Sequence, residues 1–266
     1  MAKHEETIKI VQITDSHLRK EEDGELLGMN TRGSLDAVLD LVKKQHPAPD
    51  IVLATGDIAQ DGSVEAYQSF REKTSFFSCP VIWFAGNHDN LDNMAEAAQG
   101  TSLLDKTSRI GNWQLIFLDS SVPGKVYGEI FAQDLDLLEH TLSQTDAEHC
   151  LVAFHHHPVD VQCKWLDPIG LRNREALFAV LHRHTHVRGL LWGHIHQELD
   201  RMLDGLRCLA TPSTCVQFMP GTEDFSVDSL SPGYRWLELH SDGSISTGVC
   251  RADHIDFEVD YNSKGY

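Results

Sequence analysis

Apolar and polar positions follow one another along this chain in two rhythms. The stretch TIKIVQI at 7–13 is a run of branched aliphatics that predicts a strand. SLDAVLDLVKK at 34–44 instead places Leu35, Val38, Leu39 and Val42 at i, i+3, i+4 and i+7, the stripe of an amphipathic helix. The pair of signals then recurs, with DIVLATGD read as a strand, SVEAYQSFREKTSFF as a helix and CPVIWFAGNHD as a strand. A second series contains the strand WQLIFLDS at 113–120, a helix from around Asp134 to Leu142, the strand CLVAFHHHP at 150–158, the helix REALFAVLHRH at 174–184 and the strand VRGLLWGHIH. Strands that are apolar throughout, and not alternating, are those covered on both faces. Thirty residues separate Asp57 from Asn87, about one βαβ unit, so their two strands are expected side by side and parallel.

Beyond VRGLLWGHIH the pattern shortens to RCLATPSTCVQF, YRWLELH and SISTGVCR with turns between them, which predicts antiparallel strands. No repeat, low-complexity tract or linker breaks the 266 residues. A single domain over 1–266 is therefore expected, its segment from about 206 completing a second sheet.

Composition narrows the possible partners. Hydrophobic residues make up 41% and charged residues 23%, ordinary values for a globular chain, so disorder is not indicated. No run approaches the ~18 apolar residues of a membrane span. The start, MAKHEETIKI, has no apolar middle of a secretion signal, which makes the cytoplasm the expected location. Six cysteines lack CxxC spacing and mostly sit in or beside apolar runs, so they are expected as buried thiols and not as disulfides or zinc ligands. A formal charge of −18 argues against nucleic acid as the preferred partner. It leaves room for a small phosphate ester, whose charge bound divalent cations would balance locally.

Five apolar strands end on side chains able to hold a metal. These are Asp15 and His17 in QITDSHL, Asp57 in ATGD, Asn87 and His88 in AGNHD, His155 to His157 in AFHHHP, and His194 and His196 in WGHIH. Sites in α/β sheets form just past the carboxyl ends of strands, so these residues are expected to gather in one pocket. The i, i+2 spacing of Asp15 with His17, and of His194 with His196, would let both members of a pair face one side of an extended segment. Gly56, Gly86 and Gly193 stand one or two positions before a candidate ligand, where glycine allows a tight exit and close backbone approach.

Taken singly these signals are weak, since DxH can be a helix-capping turn and Gly-Asp is common turn chemistry. Their joint appearance at strand ends is what carries weight. Oxygen and nitrogen donors without thiolate suit iron, manganese or zinc, with magnesium a weaker fit. Asp57, with two carboxylate oxygens, could bridge two ions about 3.5–4 Å apart. The nine histidines at 4, 46, 140, 149, 182, 184, 186, 240 and 254 fall on helix faces, loops or tails and are expected at the surface.

The series Asp15-x-His17, Gly56-Asp57, Gly86-Asn87-His88-Asp89, the histidine run at 155 and Gly193-His194-x-His196 resembles the calcineurin-like metallophosphoesterases. LLGMN, ATGDIAQDGS, WLDPIGLRN, GHIHQELD, LATPSTCVQF and PGYRWLELHSDG narrow the likeness to the bacterial class III 3′,5′-cyclic AMP phosphodiesterases, over roughly residues 7 to 250. The resemblance implies an α/β fold, a four-layer αββα sandwich of two mixed β-sheets, with a site for two divalent metal ions at the sheets' edge. It assigns one ion to Asp15, His17, Asp57 and His196 and the other to Asp57, Asn87, His155 and His194. His155 is the family's first histidine after the strand, although strand alternation also allows His157.

That family chemistry would turn cyclic AMP into 5′-AMP, two cations neutralising the phosphoryl oxygens and lowering the pKa of a bridging water that attacks phosphorus as hydroxide. His88, outside the ligand set, is expected to bind the phosphate with Asn87 and to protonate the leaving 3′ oxygen, with Asp89 orienting it. Arg172 or Asn173 would contact the nucleotide, unless Asn173 merely caps the helix that follows. Two alternatives stand: a broader phosphodiesterase or phosphomonoesterase on the same metals, and a non-catalytic scaffold, which has no need of the full ligand set. Metal storage is disfavoured because the donors are dispersed over five strand ends. The pattern carries no signal of oligomeric state.

Overall fold

The structure, a computed structural model, describes residues 7–265. The first series of signals forms strand β1 (Ile8–Ile13), helix α1 (Thr31–Gln45), β2 (Ile51–Ala54), α2 (Val64–Thr74), β3 (Val81–Trp83) and α3 (Leu91–Ala97). The second forms β4 (Thr107–Ile110), β5 (Trp113–Phe117), α4 (Ala132–Gln144), β6 (His149–Ala153), α5 (Arg174–Leu181), β7 (Val187–Trp192), β8 (Leu199–Leu203) and β9 (Leu206–Ala210), and the chain closes with β10 (Gly233–Leu239) and β11 (Ile245–Arg251). Asn30 and Ser63 start α1 and α2 by accepting the amides of Gly33 and Ala66, which satisfies helix donors that have no intrahelical partner.

One sheet runs β11-β10-β1-β2-β3 and the other β8-β9-β7-β6-β5-β4. β1, β2 and β3 are mutually parallel, as the βαβ spacing predicted, and β10 lies antiparallel to β1. The C-terminal strands depart from expectation. β9 does complete the second sheet, but parallel to β7, whereas β10 and β11 return to the first sheet beside β1. Turn-rich short strands announce antiparallel pairing; they carry no label for the sheet they join, which edge complementarity decides. The brief β4, β8 and α3 also escaped the sequence pattern, being too short or too weakly apolar to show a period.

Three cores account for the layers. Ile8, Ile10 and Leu53 from the first sheet meet Leu115, Leu151 and Leu191 from the second in a filling between the sheets. Val11 and Ile13 face the other way, toward Leu35, Val38 and Phe70 of α1 and α2. Val152 and Leu190 pack likewise on Leu138 and Leu177 of α4 and α5. This is the helix–sheet–sheet–helix sandwich that the resemblance implied, with both sheets mixed. A polar thread crosses its centre: buried Gln12 donates to Thr55 Oγ1 (2.9 Å) and the Trp192 carbonyl (3.1 Å) and accepts from Thr211 Oγ1. Buried Arg235 donates to Thr211, Thr247 and the carbonyls of Leu199 and Ala210.

All six cysteines are free thiols; Cys150, Cys163, Cys208 and Cys215 are buried, and burial pushes the thiols of Cys150 and Cys215 up to about 12. Among the described residues no helix is long and apolar enough to cross a membrane. His149 corrects the surface expectation: it is buried against Trp113 and reaches the Ser241 carbonyl at 3.1 Å. His140, His182 and His254 are exposed, His46, His184, His186 and His240 half-buried, and His4 lies outside the described residues.

Candidate metal centre

β1, β2, β3, β6 and β7 all deliver their carboxyl ends to one rim, and the loops leaving them carry the predicted side chains. The loops after β1 and β2 zip together, the amides of Asp15, His17 and Leu18 donating to the carbonyls of Gly56, Asp57 and Ile58 at 3.0, 2.9 and 2.9 Å. Asp15, His17, Asp57, His155, His194 and His196 are all buried, with 4% exposure at most. Their donor atoms form overlapping groups, with His88 and His156 joining them: Asp15 with His17 and His196; Asp15 with Asp57 and His155; His17 with Asp57 and His88; His155 with His156 and His194. His17 Nε2 lies 3.1 Å from His196 Nε2, His155 Nε2 is 3.3 Å from Asp57 Oδ2, and His196 Nε2 is 3.4 Å from Asp15 Oδ1.

The backbone reaches this arrangement differently from the strand alternation expected. Asp15, His17, Asp57, His194 and His196 have φ of 54°, 46°, 49°, 67° and 50°. Each is a side-chain-bearing residue in the left-handed region, which costs about 1–3 kcal/mol apiece and persists only where surrounding structure enforces it. The i, i+2 pairs thus share a side because two left-handed residues curl the chain, not because a strand continues. Close approach is the part glycine supplies. A Cβ on Gly86 would lie 2.6 Å from the Asp57 amide nitrogen, and one on Gly193 would lie 2.6 Å from Asp15 Oδ2.

Outer hydrogen bonds fix each imidazole. His17 Nδ1 pairs with Gln60 Oε1 at 2.6 Å, His155 Nδ1 with the Thr55 carbonyl at 2.8 Å and His196 Nδ1 with the Val216 carbonyl at 2.8 Å, leaving Nε2 of each turned inward. His194 is reversed: Nε2 pairs with the Ile169 carbonyl at 3.1 Å, so Nδ1 is the atom on offer. Second partners of this kind fix the tautomer and aim of metal-binding histidines. Phe218 stacks flat on His196, with centroids 4.1 Å apart and planes 8° from parallel. Gln60 lies in ATGDIAQDGS, and Val216 and Phe218 in LATPSTCVQF, two of the segments that carry the resemblance, but nothing in the pattern flagged the three individually as supports.

Electrostatics follow from burial. Burial opposes charge on Asp15 and Asp57, yet His196 and His155 hold the Asp15 carboxyl below its ordinary value, and His155 and His88 hold that of Asp57 well below. Burial likewise opposes charge on His155, but the carboxylates of Asp57 and Asp15 push it up to about 9. Burial lowers His17 to about 3 and His194 well below its ordinary value, so these two rings are neutral donors. Asn87 Oδ1 is buried without a hydrogen-bond partner. Carboxylates and neutral imidazoles fit hard or borderline divalent cations, the clustered His and Asp side chains can hold two, and the orphaned amide oxygen one residue before His88 is a donor of the same kind.

Other predicted residues fall around this cluster. Of the histidine run, His155 joins the carboxylates; His156 packs behind, its Nδ1 2.8 Å from Ser120 Oγ and its ring 4.6 Å from that of His194; His157 stacks on His194 at 5.5 Å. His88 donates its amide to Asp57 Oδ1 at 2.9 Å and sets its half-exposed ring edge-on to His17, centroids 5.0 Å apart. Asp89 accepts the amides of Gly86, Ile58 and Ala59 and the Tyr67 hydroxyl at 2.9–3.3 Å, bracing the loop of Asp57 against that of Asn87. Burial, with Asp57 adding to it, pushes Asp89 up to about 7. Arg172 lies over the Tyr127 ring, 3.2 Å from its centroid. Asn173 is at the helix cap position but makes no capping bond; its side chain pairs both ways with the Ile130 backbone, at 3.0 and 2.7 Å.

The family model for calcineurin-like phosphoesterases matches residues 8–198, and the chain belongs to this family of metal-dependent phosphoesterases. Within it, the chain is 48% identical over 272 residues to the 3′,5′-cyclic adenosine monophosphate phosphodiesterase CpdA of Pseudomonas aeruginosa, each chain covered in full. It is 44% identical over 264 residues to the Escherichia coli K12 protein of the same name, covering 98% of this chain and 96% of that one. The fold is also that of a dimetal phosphatase from Danio rerio, with TM-score 0.61 and 20% identity over 92% of this chain and 99% of the other.

Proposed function

We propose that this protein hydrolyses 3′,5′-cyclic AMP to 5′-AMP at a two-metal centre, with Asp57 shared between the ions. Asp15, His17, Asp57 and His196 would hold one cation, and Asp57, Asn87, His155 and His194 the other. The observation that carries the reading is the position of Asp57, whose carboxylate lies among His17, His88, His155 and Asp15 where both donor groups overlap. Full-length likeness to proteins named as cyclic AMP phosphodiesterases supports the choice of substrate. In this reading the enzyme works in the cytoplasm, which suits its free thiols.

When bound, divalent cations of iron, manganese or zinc supply Lewis-acid neutralisation of the phosphoryl oxygens and acidify a water toward neutrality. The chain's own groups do the rest. Gln60 and the Thr55, Val216 and Ile169 carbonyls keep four imidazoles at fixed tautomer and angle. The Asp89 brace holds the Asp57 and Asn87 loops in register. His88, at the rim with its backbone tied to Asp57, binds the phosphoryl group and delivers a proton to the departing 3′ oxygen, an alkoxide too basic to leave unprotonated.

The test is turnover of the metal-loaded protein on cyclic AMP, cyclic GMP, a 2′,3′-cyclic nucleotide, bis(p-nitrophenyl) phosphate and a phosphomonoester. The highest kcat/KM is expected on cyclic AMP. Preference for another ester would replace the substrate while keeping the chemistry, and failure on every diester would leave a metal-binding scaffold.

A further inference from the structure

The geometry points to a nucleoside subsite in the cleft beside Asn87, walled by Leu91 on one side and by Val122 and Pro123 on the other; it rests on the cyclic AMP reading above. The cleft encloses about 320 Å³, and Gly86, Asn87 and Asp89 also line it. That volume is at the lower end of the ~300–1,000 Å³ of small-molecule sites and suits one mononucleotide.

Continuity is the first argument. Asn87 lines the cleft, its Oδ1 is buried without a hydrogen-bond partner, and in the reading above it is a metal ligand, so one residue would belong to both spaces. The 3′,5′ ring ties ribose rigidly to phosphate. With the phosphoryl group at the metals, the base must therefore lie within a nucleotide's length of Asn87.

The walls are the second. Leu91 opens α3 with 46% of its surface exposed, an apolar face beside a catalytic rim where a polar residue would have solvated equally well. Opposite it, the Lys125 amide donates to the Val122 carbonyl at 2.9 Å and Gly124 has φ 68°. Pro at the second and Gly at the third position of such a turn define type II geometry, so this wall is stiff before substrate arrives. An apolar helix start and an apolar turn from separate parts of the chain line one cleft, and bases bind by their faces to such surfaces.

Leu91→Glu and Pro123→Glu test opposite walls. Both sites are exposed, and an acidic residue suits the first turn of α3. Each variant is assayed on cyclic AMP and on methyl p-nitrophenyl phosphate, a diester without a base, with adenosine as inhibitor of the former. Roughly tenfold higher KM for cyclic AMP is expected in both variants, the lower range for losing an apolar pocket contact, with kcat little changed and adenosine inhibition weakened in step. An unchanged KM and adenosine inhibition in either variant overturns the subsite. An equal loss on the baseless diester places the damage at the metal centre and also overturns it. If the wild-type protein fails to turn over cyclic AMP, the functional reading fails first, and adenosine binding to the wild type but not to the variants would still identify the cleft.

Discussion

Replacing Gly86 by alanine probes a close backbone approach in the centre. The added methyl would stand 2.6 Å from the Asp57 amide nitrogen and 2.7 Å from its Cγ. Ordinary contact begins at 3.4 Å, so the Asp57 backbone must retreat by about 0.8 Å. A side chain could rotate away; an amide pinned in a left-handed residue at φ 49°, whose carbonyl also accepts the His17 amide at 2.9 Å, cannot. Metal sites tolerate only about 0.2 Å in ligand distance, and Asp57 would serve both ions. Loss of supporting groups alone lowers metal affinity about 10–100-fold, so displacement of the shared ligand is expected to exceed 100-fold. Overpacking should destabilise the fold by about 1–3 kcal/mol, leaving a folded protein. Elemental analysis after dialysis should find well under two ions per chain, and titration calorimetry a correspondingly weaker Kd, while circular dichroism stays native. Two ions retained at a Kd within threefold of wild type would refute the view that Gly86 exists to let Asp57 approach.

His88→Ala should lower kcat on cyclic AMP by about 10²–10⁴-fold with metal content kept near two per chain; loss of metal in parallel would make His88 a ligand and not the acid. Metal uptake should depend on pH because Asp57 and Asp15 push His155 up to about 9 in the metal-free protein. The ring is then protonated at pH 7 and a cation must displace that proton, so apparent affinity rises by about one decade per pH unit up to 9 and then levels. An affinity flat from pH 7 to 9 would contradict this. Arg235→Met leaves the Leu199 and Ala210 carbonyls and two threonine hydroxyls without their donor between the sheets. Urea unfolding should show a loss of about 3 kcal/mol with metal stoichiometry unchanged, and a loss under about 1 kcal/mol would mean the thread contributes little.

Much of this protein is determined locally and can be read from its residues. Apolar runs for β1, β2, β6 and β7 and the stripe of α1 follow from periodicity, because burial on one or two faces leaves its mark every second residue, every fourth, or at all of them. Metal-capable residues at five strand ends were legible for the same reason: strand ends are where a sheet exposes its loops. Tertiary structure alone decided which sheet β10 and β11 join, which histidine of three turns toward Asp57, and that left-handed turns present the paired candidate ligands. These outcomes depend on groups far apart in sequence, such as the Thr55 carbonyl that aims His155 and the Val216 carbonyl that aims His196. Backbone carbonyls are identical at every position, so no residue type announces which one a ring will meet until the chain has folded.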